Sequence, residues 1–151
     1  MLTGFNHSGL VVRDLDRMVA FYRDALGLQV LREVDAGPDG SRHTGVPGAR
    51  RRLAFLGFPD GGHQLELVQY LEPQSPPGHL AVNALGASHL CFNVRGLGEV
   101  YRALRNRGVR FQTPLVERRD EGRGTVTRIC YGQDPEGNWL EFLEVAPADQ
   151  R

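Results

Sequence analysis

His7 and His89 open two blocks of closely similar pattern, His7-Ser-Gly-Leu-Val-Val-Arg-Asp-Leu15 and His89-Leu-Cys-Phe-Asn-Val-Arg-Gly-Leu97. Each block is followed, later in the chain, by a carboxylate between apolar neighbours: Glu66 flanked by Leu65 and Leu67, and Glu141 flanked by Leu140 and Phe142. Two imidazoles and two carboxylates at matching places in two copies form a donor set for one divalent metal ion. Zinc, nickel, cobalt, manganese and ferrous iron all accept such ligands and commonly leave positions for water or for two vicinal oxygens of a substrate. A cation would also offset the cost of holding carboxylates on a half-apolar surface.

The elements that must carry these residues follow from periodicity and turn chemistry. Residues 5–13 read as a strand, Asp14 as a helix cap, and Leu15, Met18, Val19, Tyr22 and Leu26 recur at helical spacing until Gly27. Strands are then expected over 28–34, 52–58 and 63–71, with a long loop over 35–49 that rims a pocket. The proline-bearing stretch 72–86 is the linker. The second module repeats the order, with a strand over 87–94, a helix over 97–107 stopped by Gly108, strands around 109–112 and over 125–131, and a last strand over 138–145 after the Asp134-Pro-Glu-Gly137 turn. Gly122 and Gly124 flank a loop. The expectation is an α+β fold of two tandem βαβββ modules, 1–71 and 87–151, forming one domain over 1–151.

Side chains alternate across a strand, so His7, Glu66, His89 and Glu141 face away from the helices while Leu10, Val12, Leu65, Leu67, Leu90, Phe92, Leu140 and Phe142 face the core. By the same parity Tyr70, Asn93 and Trp139 shape a substrate cavity beside the metal ligands. His43, in the long loop, is the remaining histidine assigned to that cavity, whereas His63 at a turn and His79 in the linker read as solvated or substrate-edge residues and not as metal ligands.

Acidic and basic residues balance at 18 each, and no basic run is interleaved with aromatics, which argues against nucleic acid as a partner. Arg50-Arg51-Arg52 reads as a solvated strand entrance, with contact to an anionic substrate as the alternative. No apolar run approaches the length of about 20 residues that a membrane span needs, and there is no secretory-signal profile, so a cytoplasmic protein is expected. Cys91 and Cys130 lie in expected strands at no metal-motif spacing and read as buried free thiols.

With Phe21-Tyr-Arg-Asp-Ala-Leu-Gly27, Leu53-Ala-Phe-Leu56 leading to Leu65-Glu-Leu67, His89, and Asp134-Pro-Glu-Gly137 leading to Glu141, the chain resembles the vicinal oxygen chelate superfamily of glyoxalase I, epimerases, extradiol dioxygenases and bleomycin-binding proteins. The resemblance implies a half-closed mixed-sheet barrel around one divalent metal per chain, a small-molecule substrate and assembly as a homodimer. Residues 44–49, 53–56 and 64–71 look most like the subgroup containing 2-epi-5-epi-valiolone epimerases. The expected activity is therefore metal-dependent epimerisation of a small hydroxyketone, a cyclitol being the first choice, with Glu66 and Glu141 as the bases that move an α-proton through an enediolate. Alternatives are a glyoxalase-type lyase, an iron-dependent ring-cleaving dioxygenase, and a non-catalytic drug-sequestering protein. Bacterial glutathione-using members typically carry arginine four residues after the first histidine and asparagine four after the first glutamate, where this chain has Val11 and Tyr70.

Overall fold

The computed structural model describes residues 1–148. In chain order the elements are β1 (His7–Val12), α1 (Leu15–Asp24), β2 (Gln29–Ala36), α2 (Pro38–Ser41), a 3-10 turn (Arg42–Thr44), β3 (Arg50–Gly57), β4 (Gln64–Glu72), β5 (His89–Asn93), α3 (Leu97–Arg105), β6 (Arg110–Phe111), β7 (Val116–Asp120), β8 (Thr125–Gln133) and β9 (Trp139–Pro147). They form two compact units, Met1–Pro77 and Gly78–Arg151, so the division falls inside the expected linker. Among the described residues no helix is long and apolar enough to cross a membrane.

Unit 1 holds a four-stranded sheet in the order β1-β4-β3-β2, with β1 parallel to β4 and the other pairs antiparallel. Asp14 caps α1 by accepting from the Arg17 N–H at 3.1 Å, and Gly27 takes φ +79°, a left-handed conformation that glycine adopts without a Cβ clash. Leu15, Met18 and Tyr22 of α1 are fully buried, as are Leu56 and Leu67 of the sheet. The helix therefore covers the face opposite His7 and Glu66.

Unit 2 repeats this plan in the order β5-β9-β8-β6, with β5 parallel to β9. Leu97, Leu104, Leu140 and Phe142 make its core, and Phe142 stacks on Phe92 with ring centroids 5.9 Å apart. The counterpart of β2 is split. β6 keeps only two residues, and β7 pairs with β8 along the same strand further on. No strand was expected over 116–120. All five residues of β7 are exposed, so it carries no alternating pattern to read, and Pro114, which lacks an N–H, interrupts the run before it.

Three other expectations need correcting. The stretch 35–49 is not a plain loop: β2 runs to Ala36, and α2 and the 3-10 turn follow, with Pro38 at the start of α2 where a missing N–H is harmless. Cys91 is exposed, because it lies on the His89 face of β5, while Cys130 is buried and both thiols are free. Nor is the arginine run uniformly solvated. Arg50 is exposed opposite Glu72, and Arg52 forms two bonds of 2.8 and 2.9 Å to Asp16, but Arg51 is only 6% exposed.

Candidate metal-binding pairs

In unit 1 the parallel register sets Gly9 opposite Glu66, so His7 is the diagonal neighbour of Glu66 on one sheet face. Its Nε2 lies 3.2 Å from Glu66 Oε2, and its Nδ1 is 2.8 Å from Asn6 Oδ1. With the proton on Nδ1 and bonded to Asn6, Nε2 presents its lone pair to the carboxylate. Gly9 leaves room for this: a Cβ there would stand 3.4 Å from Glu66 Oε2.

Unit 2 builds the same pair. Cys91 stands opposite Glu141, and His89 Nε2 is 2.9 Å from Glu141 Oε2. Both carboxylates are largely withdrawn from solvent, their side chains retaining 17% and 13% exposure. In each pair an imidazole nitrogen and a carboxylate oxygen converge, an arrangement that serves either as a hydrogen bond with Nε2 protonated or as two donors to one cation. Separations of 2.9 and 3.2 Å suit two donors each about 2.0–2.2 Å from one ion and at roughly right angles to each other. The donor chemistry therefore fits a divalent metal. The structure brings His7 to Glu66 and His89 to Glu141; among the described residues it gathers no group of three or more His, Cys, Asp or Glu around one point.

Each pair has an aromatic neighbour at the matching position. Phe55 of β3 stands opposite Glu66 and meets the His7 ring edge-on at 5.6 Å. Tyr131 of β8 stands opposite Glu141 and meets the His89 ring at 5.3 Å. Tyr131 adds a hydroxyl that donates to Glu141 Oε2 at 2.8 Å and lies 3.4 Å from His89 Nε2. Burial first, then the bond to Glu141 and its charge, push the Tyr131 phenol up to about 12, which keeps it a proton donor at neutral pH. The Cys91 thiol is likewise raised, by burial and by the charge and hydrogen bond of Glu141. Tyr131 escaped the sequence reading, although the hairpin signals it: the turn after Gln133 pairs that residue with Trp139, and two steps back along each strand are Tyr131 and Glu141.

The expected cavity residues take varied places. Tyr70 is half-buried against the Leu53, Phe55 and Val68 cluster on the Glu66 face. Asn93 is exposed on the His89 face of β5. Trp139 is buried, and its indole N–H donates to the Leu80 carbonyl at 2.8 Å, which commits its polar edge to holding that segment. His43 is exposed with Nε2 3.5 Å from Arg51 Nη2. His63 donates to or accepts from the Ser8 hydroxyl at 2.8 Å, on the side of β1 away from Glu66.

Residues 4–142 match the family described as the Glyoxalase/Bleomycin resistance protein/Dioxygenase superfamily. The chain is 30% identical over 145 residues to a lactoylglutathione lyase of Haemophilus influenzae, covering 91% of this chain and 90% of that protein. A Pseudomonas aeruginosa lactoylglutathione lyase is 30% identical over 158 residues, covering 94% of this chain and 82% of its own length. Among solved structures, a glyoxalase family protein from Bacillus cereus superposes with a TM-score of 0.85 at 26% identity, covering 96% of this chain and 95% of that one. The trypanothione-dependent glyoxalase I of Leishmania major gives 0.67 at 26% identity, with 95% of this chain and 87% of that one covered.

Proposed function

The chain belongs to the Glyoxalase/Bleomycin resistance protein/Dioxygenase superfamily, and from that premise we propose that it is a metal-dependent enzyme that moves a proton on the carbon next to a carbonyl. The observation that carries this reading is the duplicated His–Glu pair, His7 with Glu66 and His89 with Glu141, each with a largely buried carboxylate oxygen at hydrogen-bond distance from an imidazole nitrogen. Each pair would offer two donors to a divalent ion, which when bound supplies Lewis-acid polarisation of a carbonyl oxygen.

The chain's own groups then divide the proton work. Glu66 has His7 as its polar partner, and its carboxylate is the acceptor for the α-proton. Glu141 is held by His89 and by the Tyr131 hydroxyl, so it is the more firmly positioned of the two. Tyr131, protonated at neutral pH, keeps a donor beside Glu141 and supports return of a proton there. The apolar cluster of Leu53, Phe55 and Val68 beside Glu66 limits water around the enediolate formed when the proton leaves. Return of the proton to the opposite face of the carbon would invert it, as an epimerase of a small hydroxyketone requires.

A second reading is favoured by a specific observation: two curated relatives at 30% identity are lactoylglutathione lyases. That reaction also needs proton movement beside a carbonyl. Val11 and Tyr70, at the positions where the resemblance places arginine and asparagine in glutathione-using members, favour the epimerase.

The test is proton exchange. Metal-reconstituted protein in deuterium oxide should incorporate one deuterium at the α-carbon of a hydroxyketone without consuming oxygen, and Glu66→Gln and Glu141→Gln should each lower the rate by about 100-fold or more. Turnover of the glutathione–methylglyoxal adduct without hydroxyketone exchange would select the lyase. Full exchange in Glu141→Gln with metal retained would refute the assignment of the carboxylates.

A further inference from the structure

Arg51 is a buried cation whose partners in unit 1 are a hydroxyl, a backbone carbonyl and an imidazole. The residue is 6% exposed, yet no carboxylate among the described residues reaches it. Its Nε donates to Ser41 Oγ at 3.0 Å, and Nη2 lies 3.4 Å from the Gly40 carbonyl and 3.5 Å from His43 Nε2. The guanidinium also lies 5.8 Å from the Tyr70 ring. A charge withdrawn this far from water is ordinarily matched by an opposite charge, and the neighbouring Arg50 and Arg52 both have one, in Glu72 and Asp16.

Nη1 has no acceptor among the described residues. Every fully buried side-chain nitrogen or oxygen among them does have a partner, so the Nη1 edge of the fork is the part left open. Arg51 stands opposite Tyr70, and Phe55 stands opposite Glu66, which puts Arg51 on the Glu66 face, four residues along β3. That is about 13 Å between backbone positions, and both long side chains reach over part of it. Arg32, packed 3.9 Å over the Phe55 ring on the same face, has no carboxylate partner among the described residues either. The face thus carries two unneutralised guanidinium groups beside a single carboxylate that is already paired with His7.

We propose that Arg51, steadied by Ser41 and the Gly40 carbonyl and roofed by His43, is the recognition site for a phosphate or carboxylate group at the far end of the substrate. This deepens the proton-transfer reading and rests on it for the chemistry, though not for the binding. The substrate is then an anionic hydroxyketone, such as a sugar phosphate or a hydroxyketo acid, in place of a neutral cyclitol. A planar guanidinium with one free edge is suited to either oxyanion, and α2 with the 3-10 turn after it, which supply Gly40, Ser41 and His43, shape this end of the cavity.

The experiment is calorimetric titration at fixed ionic strength with inorganic phosphate, dihydroxyacetone phosphate, 3-hydroxypyruvate and neutral dihydroxyacetone. At least one anionic hydroxyketone should bind tenfold or more tightly than dihydroxyacetone, and Arg51→Met should erase that difference. Preference for dihydroxyacetone phosphate and inorganic phosphate identifies a phosphate site; preference for 3-hydroxypyruvate identifies a carboxylate site. Glu66→Gln should still bind the anion, so loss of proton transfer and loss of anion recognition are separable. If Arg51→Met does not fold, Arg51→Lys decides, with binding at least fivefold weaker expected because the fork is lost. Equal binding of anionic and neutral ligands by wild type, or undiminished anion binding in the variant, overturns the proposal.

Discussion

Glu144→Ala should destabilise unit 2 at neutral pH and lose that effect in acid. Glu144 is 8% exposed and sits three residues beyond Glu141 on β9. Its two oxygens accept from the Gly96 N–H at 2.6 Å and the Leu97 N–H at 3.2 Å, the first donors of α3, and from Arg128 Nη1 at 3.1 Å. Gly96 offers no capping side chain, so the helix start depends on this carboxylate. Losing a cap costs about 0.5–2 kcal/mol, and orphaning a buried N–H costs about 1–3 kcal/mol, which together suggest about 2–3 kcal/mol at pH 7. Burial pushes the Glu144 carboxyl up, but the bonds from Gly96, Arg128 and Leu97 and the Arg128 charge outweigh it, and the net result lies below the ordinary 4.5. A carboxyl depressed in the folded state stabilises fully above its unfolded value and loses that contribution as pH falls through the folded one. Urea unfolding followed by Trp139, the single tryptophan and a β9 residue, should therefore show a wild-type advantage that is constant from pH 7 to about 5 and shrinks below 4.5. An advantage unchanged down to pH 3 would refute the assignment of the cap to an ionised Glu144.

Gln69 is the repeat counterpart in unit 1, accepting from the Leu15 N–H at 3.3 Å and donating to the Arg13 carbonyl at 2.8 Å; because it is neutral and α1 also has Asp14, Gln69→Ala should cost only about 1 kcal/mol by urea titration, with no pH dependence. Tyr131→Phe should fold as wild type, since Phe55 fills the equivalent place beside His7, yet slow α-proton exchange about tenfold; an unchanged kcat would remove the hydroxyl from the mechanism. Gly132→Ala would place a Cβ 2.8 Å from Val109 Cγ1, 3.2 Å from Phe111 Cδ1 and 3.3 Å from the Arg110 carbonyl, so thermal unfolding should show a loss of about 1–3 kcal/mol.

Legibility in the sequence followed the reach of the interactions. The strands bearing His7, Glu66, His89 and Glu141, their facing and both helices could be read because alternation, capping and glycine stops act within a few residues. β7 could not, since an edge strand with no buried side has no pattern, and neither could the helical turns over 38–44. Arg51 was hidden inside a run of like residues: Arg50 and Arg52 have carboxylates across β3–β4 and from α1, while Arg51 alone turns inward beneath α2. Cys91 was misread because strand residence was equated with burial, although parity had already put it with His89. The pairing of each imidazole with its glutamate depends on a parallel register between distant strands, which no local signal sets.

The duplicated plan gives the two glutamates equal backbone settings, so any difference in their chemistry must come from side chains at matched positions. Three of these differences run in one direction. Gly9 faces Glu66 where Cys91 faces Glu141, Phe55 flanks the first pair where Tyr131 flanks the second, and Gln69 ties down α1 where Glu144 ties down α3. Each substitution gives unit 2 the more polar or ionisable member of the pair. Glu141 has the Tyr131 hydroxyl beside it where Glu66 has the Phe55 ring, so Glu141 is the more firmly held of the two and Glu66 the freer to meet a substrate proton. Exchanging the two environments, with Phe55→Tyr and Tyr131→Phe in one chain, should therefore preserve the fold while shifting the greater loss of exchange from Glu66→Gln to Glu141→Gln. If the two glutamine variants keep their original ranking in that background, the aromatic neighbour does not set the division of roles.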